Sequence, residues 1–370
     1  MSLQPFNLST VQLKNIFQNK KVFLTGHTGF KGSWLCEWLL LLGAEVSGFS
    51  LPGCVTSPSL FEQLGLASRM KDVRGDVRDA EAVRESLLQA DPDFVFHLAA
   101  QPLVRLSYRE PVETFTTNVM GTIHVLEAMR GLKRACSAVM VTTDKCYENR
   151  EWERGYHEED VLGGHDPYSS SKAACEVAIA SWRRSFFQRH PVRIASARAG
   201  NVIGGGDWAE DRILPDSIRA LQRGEAVPVR NQNSTRPWQH VLEPLSGYLL
   251  LAARLASQVE NGRVKDSLDS AFNFGPGLDS NRSVMELVRE ILKHWPGEWA
   301  DRSSSEAVHE AGKLNLATDK ACRLLGWKPR WDFTATVANT VDWYHRAWQG
   351  EGIHVLSMEQ IRNYMETEML

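Results

Sequence analysis

The chain has 370 residues, of which 43% are hydrophobic and 24% are charged. This composition supports a large folded core and excludes an intrinsically disordered protein. The net charge of −3 and the isoelectric point of about 6.4 argue against a protein that mainly binds nucleic acid or an anionic membrane.

The first half of the chain alternates short apolar runs, which predict strands, with amphipathic stretches, which predict helices. The predicted strands are Val22–Thr25, Glu45–Phe49, Met70–Arg74, Phe94–Leu98, Ala138–Thr142 and Arg193–Ala197. The predicted helices between them are Ser33–Leu42, Ala80–Gln89, Val112–Met129 and Ser169–Gln188. Strands with little polar alternation suit a parallel sheet covered on both faces. We therefore predict an α/β fold with a doubly wound, Rossmann-like parallel sheet.

Beyond about Ala199 the pattern changes to irregular loops and helices, which indicates a smaller, mostly helical substrate lobe. The helices predicted there are Val284–His294, Ala317–Leu325 and Thr334–Trp348. We divide the chain into a dinucleotide-binding domain over residues 1–199 and a nucleotide-sugar lobe over residues 200–370. Within the region 231–276, two segments are candidates to rejoin the main sheet: Asn231–His240 and Ala271–Pro276.

The sequence carries no sign of export, membrane insertion or a structural metal. Residues 1–20 lack the features of a signal peptide, and no stretch approaches the roughly 20 apolar residues that span a bilayer. The six cysteines are scattered without a CxxC pair, which favours reduced thiols over disulfides or a zinc site. We expect a cytoplasmic protein with no metal, no nucleic-acid partner and no membrane partner.

A glycine-rich loop follows the first predicted strand and opens the first predicted helix. The free backbone N–H groups and positive dipole end of a helix N-terminus suit a pyrophosphate, so this loop predicts a dinucleotide site. An ordinary tight turn is the alternative interpretation. The candidate cofactor contacts in the loop are Gly26, His27, Gly29, Phe30, Lys31 and Gly32.

Ligands of a doubly wound sheet lie beyond the carboxyl ends of its strands, so the residues that follow other strands are further candidates. We expect two of them to flank the adenine and others to face the ribose and nicotinamide. These candidates are Asp76 and Val77 for the adenine, and Leu98, Ala99, Gln101 and Thr142 for the remainder. The second strand ends without an acidic residue, and His27 and Lys31 could accept a 2′-phosphate. The residues alone therefore permit NADP as well as NAD.

Tyr168 and Lys172 lie four residues apart at the start of a predicted helix, which places them on one face. A tyrosine has an ordinary pKa of about 10, and a nearby ammonium group favours its phenolate. The pair therefore predicts a general base, with a plain surface pair as the alternative.

Thr143, Asp144 and Lys145 follow the fifth predicted strand with a hydroxyl, a carboxyl and an amine. The hydroxyl could bind a substrate hydroxyl, the carboxyl could act as an acid if burial raises its pKa, and the amine could act as a base if desolvation lowers its pKa. A polar turn that caps the strand is the alternative.

Polar and cationic residues of the second half are candidate substrate contacts, because the planar guanidinium suits phosphate oxygens. We expect at least one of the three arginines to be structural instead. The candidates are Asn201, Arg212, Arg230, Arg236 and His240.

These motifs resemble those of the extended short-chain dehydrogenase/reductase superfamily. The resemblance rests on TGxxGxxG at Thr25–Gly32, on Tyr-x-x-x-Lys at Tyr168–Lys172 and on Thr143. More narrowly, the chain is similar to the nucleotide-sugar 4,6-dehydratases that act on CDP-glucose. The stretches that carry this likeness are Gly26–Trp34, Thr142–Tyr147, Arg198–Trp208 and Ser234–Val241.

The resemblance implies NAD as cofactor and CDP-glucose as substrate, converted to a 4-keto-6-deoxy sugar and water. Tyr168 would take the proton of the 4-hydroxyl while hydride passes from C4 to NAD, and Asp144 would protonate the departing 6-hydroxyl. Related dTDP-glucose dehydratases carry Thr-Asp-Glu at this place, so Lys145 replaces the glutamate that removes the C5 proton. A neighbouring carboxylate raises the pKa of a lysine, which opposes this role unless Asp144 is itself protonated.

Two other functions fit parts of the pattern. A nucleotide-sugar 4-epimerase would share Tyr168, Lys172 and Thr143 but would need no acid at C6, and a non-catalytic NAD-binding regulator could use the same fold. The superfamily also implies a homodimer built from the helices Val112–Met129 and Ser169–Gln188, although these could equally be covered within one chain.

Overall fold

A computed structural model describes residues 10–261, 268–302 and 314–367. In chain order the strands are β1 Lys21–Thr25, β2 Glu45–Ser50, β3 Lys71–Arg74, β4 Phe94–His97, β5 Cys136–Val141, β6 Val192–Ala199, β7 Val202–Ile203, β8 Val227–Val229, β9 Thr235–Pro237, β10 Gln239–His240, β11 Ala271–Phe274, β12 Asn281–Ser283 and β13 Trp299–Asp301. The helices are α1 Thr10–Phe17, α2 Phe30–Leu41, α3 Leu60–Gln63, α4 Ala80–Ala90, α5 Val104–Arg109, α6 Pro111–Phe115, α7 Gly121–Met129, α8 Pro167–Ser185, α9 Ile213–Gln222, α10 Leu242–Asn261, α11 Val284–His294, α12 Asp319–Leu325, α13 Phe333–Trp348 and α14 Ile353–Glu366.

Seven parallel strands form the central sheet in the order β11-β6-β5-β4-β1-β2-β3. The chain runs outward from β1 in one direction through β2 and β3, and in the other through β4, β5, β6 and β11. The order reverses between β1 and β4, which is where a doubly wound sheet opens a ligand crevice. The predicted α/β fold with a doubly wound parallel sheet is confirmed.

Helices cover both faces of the sheet because neighbouring residues of each strand point to opposite sides. Val22 and Leu24 of β1 pack into a core shared with α2, α10 and the second lobe, whereas Phe23 packs into a core with α4, α7 and α8. Both faces are apolar, which explains the continuous hydrophobic runs of the central strands. Within the described ranges, no helix combines the length and the apolar character needed to cross a bilayer.

All six strands predicted in the first half are present, with ends that differ by up to two residues. Of the two segments predicted to rejoin the sheet, only Ala271–Phe274 does so, pairing with β6. The prediction for Asn231–His240 is wrong, because its two short strands pair with β12 and β7 in small separate sheets. The helix α10 also packs on β5 and β6, so the chain returns to the first lobe after residue 240. The domain boundary at residue 199 stays a prediction.

The helix predicted over Val112–Met129 is interrupted. A π-helical turn spans Thr116–Met120 between α6 and α7. Such a bulge widens one turn of a helix and often lies at a functional site. Here it carries the buried side chain of Asn118, which faces the end of β4 and the start of α8.

Candidate functional site

The glycine loop joins β1 to α2 at the point where the strand order reverses. Gly26 has a φ of +78°, and a Cβ atom there would lie 2.7 Å from the backbone nitrogen of Ala99 after β4. A Cβ on Gly32 would lie 2.1 Å from the carbonyl oxygen of Gly26. These two positions let the ends of β1 and β4 and the start of α2 meet closely.

The N-terminus of α2 has the features of a pyrophosphate site. Its N-cap is Gly29, and no side chain caps the first turn. The backbone N–H groups of this turn and the positive end of a 12-residue helix therefore remain available to an anion. These features suit a diphosphate, and the contact of Gly26, Gly29 and Gly32 with a dinucleotide stays a prediction.

His27 points into the protein, so it cannot accept a 2′-phosphate as the sequence permitted. Its ring is fully buried against Gly48 and Phe61, and its Nε2 lies 2.8 Å from a carboxylate oxygen of Asp72. Burial lowers the pKa of His27, although the carboxylate of Asp72 opposes this effect. The contribution of His27 is to fill the space under the loop.

Lys31 faces the reacting end of the crevice. Burial lowers the pKa of its ammonium group to about 8, and the charges that act on it come from Asp144, Arg212, Lys172 and Lys145. The charged groups near it therefore belong to the turn after β5, to α8 and to the second lobe. The preceding residue, Phe30, contacts the second lobe at Gly204.

The adenine-side candidates lie at the carboxyl end of β3, as predicted. The carboxylate of Asp76 is held by Arg78, and Val77 is buried against Gly121 at the start of α7. The side chain of Asp76 remains 27% exposed. The pair borders the crevice on the β2–β3 side.

The segment after β4 is fixed by Asn118, a residue that the sequence analysis missed. Leu98 and Ala99 donate their backbone N–H groups to Thr25. Gln101 donates its backbone N–H to Oδ1 of Asn118 at 2.8 Å, and Nδ2 of Asn118 donates to Ser171 of α8 at 2.9 Å. Asn118 thus links the segment after β4, which is predicted to face the nicotinamide, to α8. The available signal in the sequence was a polar asparagine in the middle of the predicted helix Val112–Met129.

Tyr168 lies in the first turn of α8, whose N-cap is the side chain of Asp166. It is 8% exposed. Burial raises the pKa of its hydroxyl above the usual range, and Asp144 adds to this effect, while a hydrogen bond with Thr143 and the charge of Arg212 oppose it. The hydroxyl groups of Tyr168 and Thr143 therefore lie close enough to interact. The charge of Arg212 acts on the same hydroxyl from the second lobe.

Lys172 lies one turn along α8, and its Nζ donates to the carbonyl of Val141 at the end of β5 at 3.4 Å. Burial lowers the pKa of this ammonium group. The ammonium group of Lys172 was expected to lower the pKa of Tyr168. Burial opposes this effect, because it lowers the pKa of Lys172 and raises that of Tyr168. As predicted from their spacing, the two residues share one face of α8. This face lies against the end of β5.

Asp144 and Lys145 begin a short 3₁₀ turn after β5. Oδ1 of Asp144 accepts a hydrogen bond from Thr143 at 2.9 Å, and the carboxylate lies against Gly200, where a Cβ atom would be 2.8 Å from Oδ2. Lys145 is half-buried, and its Nζ lies 3.5 Å from Oδ1 of Asn201. A hydroxyl, an acid and an amine therefore meet beside Tyr168.

Two of the predicted substrate arginines belong to one loop system of the second lobe. Arg212 pairs with the buried Asp207 at 2.7 Å, and Arg230 pairs with Asp211 at 2.5 Å. Arg105 of α5, which the sequence analysis missed, also approaches Asp211, at 3.6 Å. The group forms a cationic rim, and the charge of its member Arg212 acts on the hydroxyl of Tyr168.

This loop is supported from beneath by α13. A Cβ on Gly205 would lie 2.0 Å from the indole of Trp343, and the hydroxyl of Tyr344 donates to the carbonyl of Asp207. The close fit explains why the sequence has three consecutive glycines here. It also fixes the backbone from which Arg212 extends.

The remaining two substrate candidates are placed differently. Arg236 is half-buried in β9 and donates to Ser234 and to the carbonyl of Thr235. His240 is fully buried between Trp34 and Trp331, and burial lowers its pKa to about 3. The structure does not bring the ring of His240 to the surface of the site, because the aromatic core surrounds it.

Comparison with known proteins gives consistent matches. Residues 23–340 match the family model described as GDP-mannose 4,6 dehydratase. A CDP-glucose 4,6-dehydratase of Salmonella typhimurium is 46% identical over 359 residues, which cover 95% of this chain and 98% of that protein. A dTDP-glucose 4,6-dehydratase of Streptomyces antibioticus is 29% identical and covers 88% of this chain and 93% of its own length.

Solved structures show the same fold. DesIV, a dTDP-glucose 4,6-dehydratase of Streptomyces venezuelae solved with NAD, aligns with a TM-score of 0.75 at 24% identity, covering 88% of this chain and 98% of its own. The epimerase Mth375 of Methanothermobacter thermautotrophicus also has a TM-score of 0.75, at 22% identity, covering 94% of this chain and 98% of its own. Because one fold serves both activities, the fold alone does not choose between them.

Proposed function

This chain belongs to the GDP-mannose 4,6-dehydratase family, and we propose that it is an NAD-dependent hydro-lyase that converts CDP-glucose to CDP-4-keto-6-deoxyglucose and water. The observation that carries the proposal is the pair Asp144 and Lys145 beside Tyr168. Loss of the 6-hydroxyl needs an acid and removal of the C5 proton needs a base, whereas a 4-epimerase needs neither. CDP-glucose is proposed because the relative named for that substrate is 46% identical over nearly the whole chain.

The cofactor is held by the backbone at the start of α2 and by the residues after β3 and β4. Bound there, NAD supplies the hydride acceptor for C4 and the hydride donor for C6. Gly26, Gly29 and Gly32 admit the diphosphate, and the segment from Leu98 to Gln101 borders the nicotinamide side. The inward position of His27 removes one cation that could have favoured NADP.

The side chains of the protein move the protons. Tyr168 accepts the proton of the 4-hydroxyl, which Thr143 orients through its own hydroxyl. Burial raises the pKa of Tyr168 and the charge of Arg212 opposes this effect, so we propose that Arg212, together with the ammonium group of Lys172, favours the phenolate. Lys145 removes the C5 proton, which the new 4-ketone has made acidic, and Asp144 protonates the leaving 6-hydroxyl. The return of a proton to C5 completes a reaction that is redox-neutral overall.

The sugar nucleotide is proposed to lie across the second lobe. Arg212 and Arg230 are directed by Asp207 and Asp211, which leaves N–H groups of each guanidinium for the pyrophosphate. Asn201, whose Oδ1 lies 3.5 Å from Nζ of Lys145, and Arg236 are proposed as further contacts of the sugar nucleotide. We do not propose that His240 contacts the sugar nucleotide, because its ring is enclosed by aromatic side chains.

A substrate panel tests the proposed function. Purified protein is incubated with the glucose derivatives of CDP, dTDP, UDP and GDP, and product is detected by the absorbance that 4-keto sugars develop in alkali. We expect CDP-glucose to give the strongest signal of the four. An epimerised alcohol would favour the 4-epimerase instead, and a protein that turns over no nucleotide sugar would favour a regulator. In the active case, Tyr168→Phe should abolish turnover and retain the dinucleotide.

We also infer a homodimer through α6, α7 and α8. Apolar side chains on these helices, and Phe186 directly after α8, are exposed in the single chain: Val112 (79%), Val177 (59%) and Phe186 (43%). Pairing two such faces would cover them in a four-helix interface. Sedimentation should give a dimer at micromolar concentration, and Val177→Asp should shift it toward monomer. A monomeric wild-type protein would contradict this inference.

The proposed location is the cytoplasm. All six cysteines are free thiols, as expected in a reducing compartment. A 4-keto-6-deoxy sugar nucleotide made there could supply dideoxysugars for lipopolysaccharide O-antigen. Fractionation of the producing cell would test the location.

A further inference from the structure

Glu176 is a buried carboxylate with no role in the chemistry described above. It follows Tyr168 and Lys172 at intervals of four residues, so the three side chains lie along one face of α8. Glu176 is 3% exposed, and its partner Arg198 on β6 is 4% exposed. Their nitrogen and oxygen atoms are 2.8 Å apart.

The carboxylate binds the ends of two strands. One oxygen accepts a hydrogen bond from the hydroxyl of Thr142, the residue directly after β5. The other accepts from Ser196 and from Arg198, both on β6 and both at 2.8 Å. The side chain of Glu176 therefore holds α8 against β6 and against the residue that follows β5, next to the turn that carries Asp144 and Lys145.

The residues of this face lie against the last residue of β5 and the two residues that follow it. Lys172 binds the carbonyl of Val141, Glu176 accepts a hydrogen bond from the hydroxyl of Thr142, and the hydroxyl of Tyr168 lies near that of Thr143. Loss of the contact between Glu176 and Thr142 would free the end of β5 to move relative to α8. The distance between Tyr168 and Thr143 depends on that register.

The buried pair is also anchored on its far side. Arg198 donates to the hydroxyl of Tyr147 at 2.7 Å and to the carbonyl of Glu158 at 3.0 Å. The hydroxyl of Tyr147 in turn donates to Asn273 on β11. The network therefore spans the sheet from the catalytic helix to its edge strand.

We propose that Glu176 is a positioning residue, which locks α8 to the ends of β5 and β6 and so fixes Lys172 and Tyr168 against Thr143. The proposal deepens the proposed function and rests on it for the identity of the reaction. It assigns Glu176 no contact with substrate or cofactor.

The charge of Glu176 supports the same positioning role as its hydrogen bonds. Burial opposes its ionisation, but the charge of Arg198 and the hydrogen bonds from Arg198, Thr142 and Ser196 outweigh burial and hold the pKa of Glu176 below its ordinary value. The ionised carboxylate helps to keep Lys172 protonated against the desolvation that lowers its pKa. The other ionisable groups around the two residues are Cys175 and Arg183 on α8, Cys146 after β5, Arg198 on β6, His97 on β4 and Lys31 on α2.

The test is Glu176→Gln in the full-length, NAD-loaded protein. We expect kcat for CDP-glucose to fall about 10- to 100-fold with KM little changed, and the alkaline limb of the pH profile, where Lys172 loses its proton, to move down by about one pH unit. Glu37→Gln is the matched control, because Glu37 is a buried carboxylate of α2 paired with Arg69. It should lower stability and leave the position of the pH profile unchanged.

A second measurement needs no sugar substrate. The side-chain carbons of ¹³C-labelled lysines are titrated by NMR, with Lys172 assigned from a Lys172→Arg variant. Lys172 should titrate at lower pH in Glu176→Gln than in wild type. If Glu176→Gln does not fold, Glu176→Gln/Arg198→Met, which leaves no unpaired buried charge, is used for both measurements.

A variant that loses only thermal stability, with the pH profile and the Lys172 titration unmoved, would overturn the proposal. Absence of turnover in wild type would instead overturn the proposed function, and the NMR titration would still decide the role of Glu176.

Discussion

The side chain of Lys145 is the one that we propose removes the C5 proton. It is half-buried at the start of the turn after β5, next to Asp144 and close to Asn201. An amine in this position can remove a proton only in its neutral form. Removal of the C5 proton therefore requires that Lys145 first gives up its own proton.

Lys145→Met should therefore separate the two halves of the reaction. Tyr168 can still oxidise C4, but no base removes the C5 proton, so kcat should fall about 10²- to 10⁴-fold. The absorbance of reduced nicotinamide should accumulate on addition of CDP-glucose without release of the 4-keto-6-deoxy product. Lys145→Arg keeps the cation without an effective base and should behave like Lys145→Met. Near-normal turnover in both variants would assign the base to another residue.

At the scale of the element, the connection from β1 to α2 depends on close backbone contact. Gly26→Ala places a Cβ at 2.7 Å from the backbone of Ala99 and forces an L-residue to a φ of +78°. Gly224→Ala is the matched control, because Gly224 has a φ of +67° and no heavy atom lies within 4 Å of the position that a Cβ would take there. The control should lose about 1 kcal/mol of unfolding free energy. Gly26→Ala should lose more, and its affinity for NAD should fall, as measured by calorimetry. Equal losses in the two variants, with NAD affinity retained, would contradict the close contact.

The sequence predicted the strands and the loops at their carboxyl ends well, because buried parallel strands are continuous apolar runs and glycines mark the turns. It predicted the shared face of Tyr168 and Lys172 from their spacing alone. The π-helical turn at Asn118 could not be predicted, since it arises from contacts between Asn118, Gln101 and Ser171 that are distant in the chain.

The sequence also could not predict the orientation of single side chains. His27 was expected to face a ligand, but its partner Asp72 lies 45 residues away on β3, two strands from β1. The same limit applies to Glu176, whose importance depends on Thr142, Ser196 and Arg198 meeting at one point. Such contacts are set by the packing of strands and helices.

At the scale of the whole molecule, Glu243 joins α10 to the C-terminal helices. Its carboxylate accepts hydrogen bonds from the backbone N–H groups of Arg330 and Trp331 and from the hydroxyl of Tyr364, at 2.7 Å for the last. Burial raises the pKa of Glu243 to about 7, although these hydrogen bonds oppose the shift. The folded protein therefore binds a proton here that the unfolded chain releases near its ordinary pKa of 4.5.

This difference predicts a pH dependence of stability. The contribution is fully present below about pH 4.5 and is lost as the pH rises through about 7, for a total of about 3 kcal/mol. Glu243→Gln, which cannot ionise, should lack this loss. Its unfolding free energy relative to wild type should rise between about pH 5 and pH 8 in urea titrations. A constant difference between the two proteins across this range would contradict the assignment.

The central claim is that one hydrogen travels within the molecule, from C4 of the sugar to its C6, while Tyr168 and the loop after β5 handle the protons. CDP-glucose deuterated at C4 tests it directly, with the product analysed by NMR and mass spectrometry. The account predicts deuterium on the C6 methyl group of a 4-keto product. Deuterium in the solvent or in released reduced dinucleotide, or retained at C4 of an epimerised sugar, would contradict it.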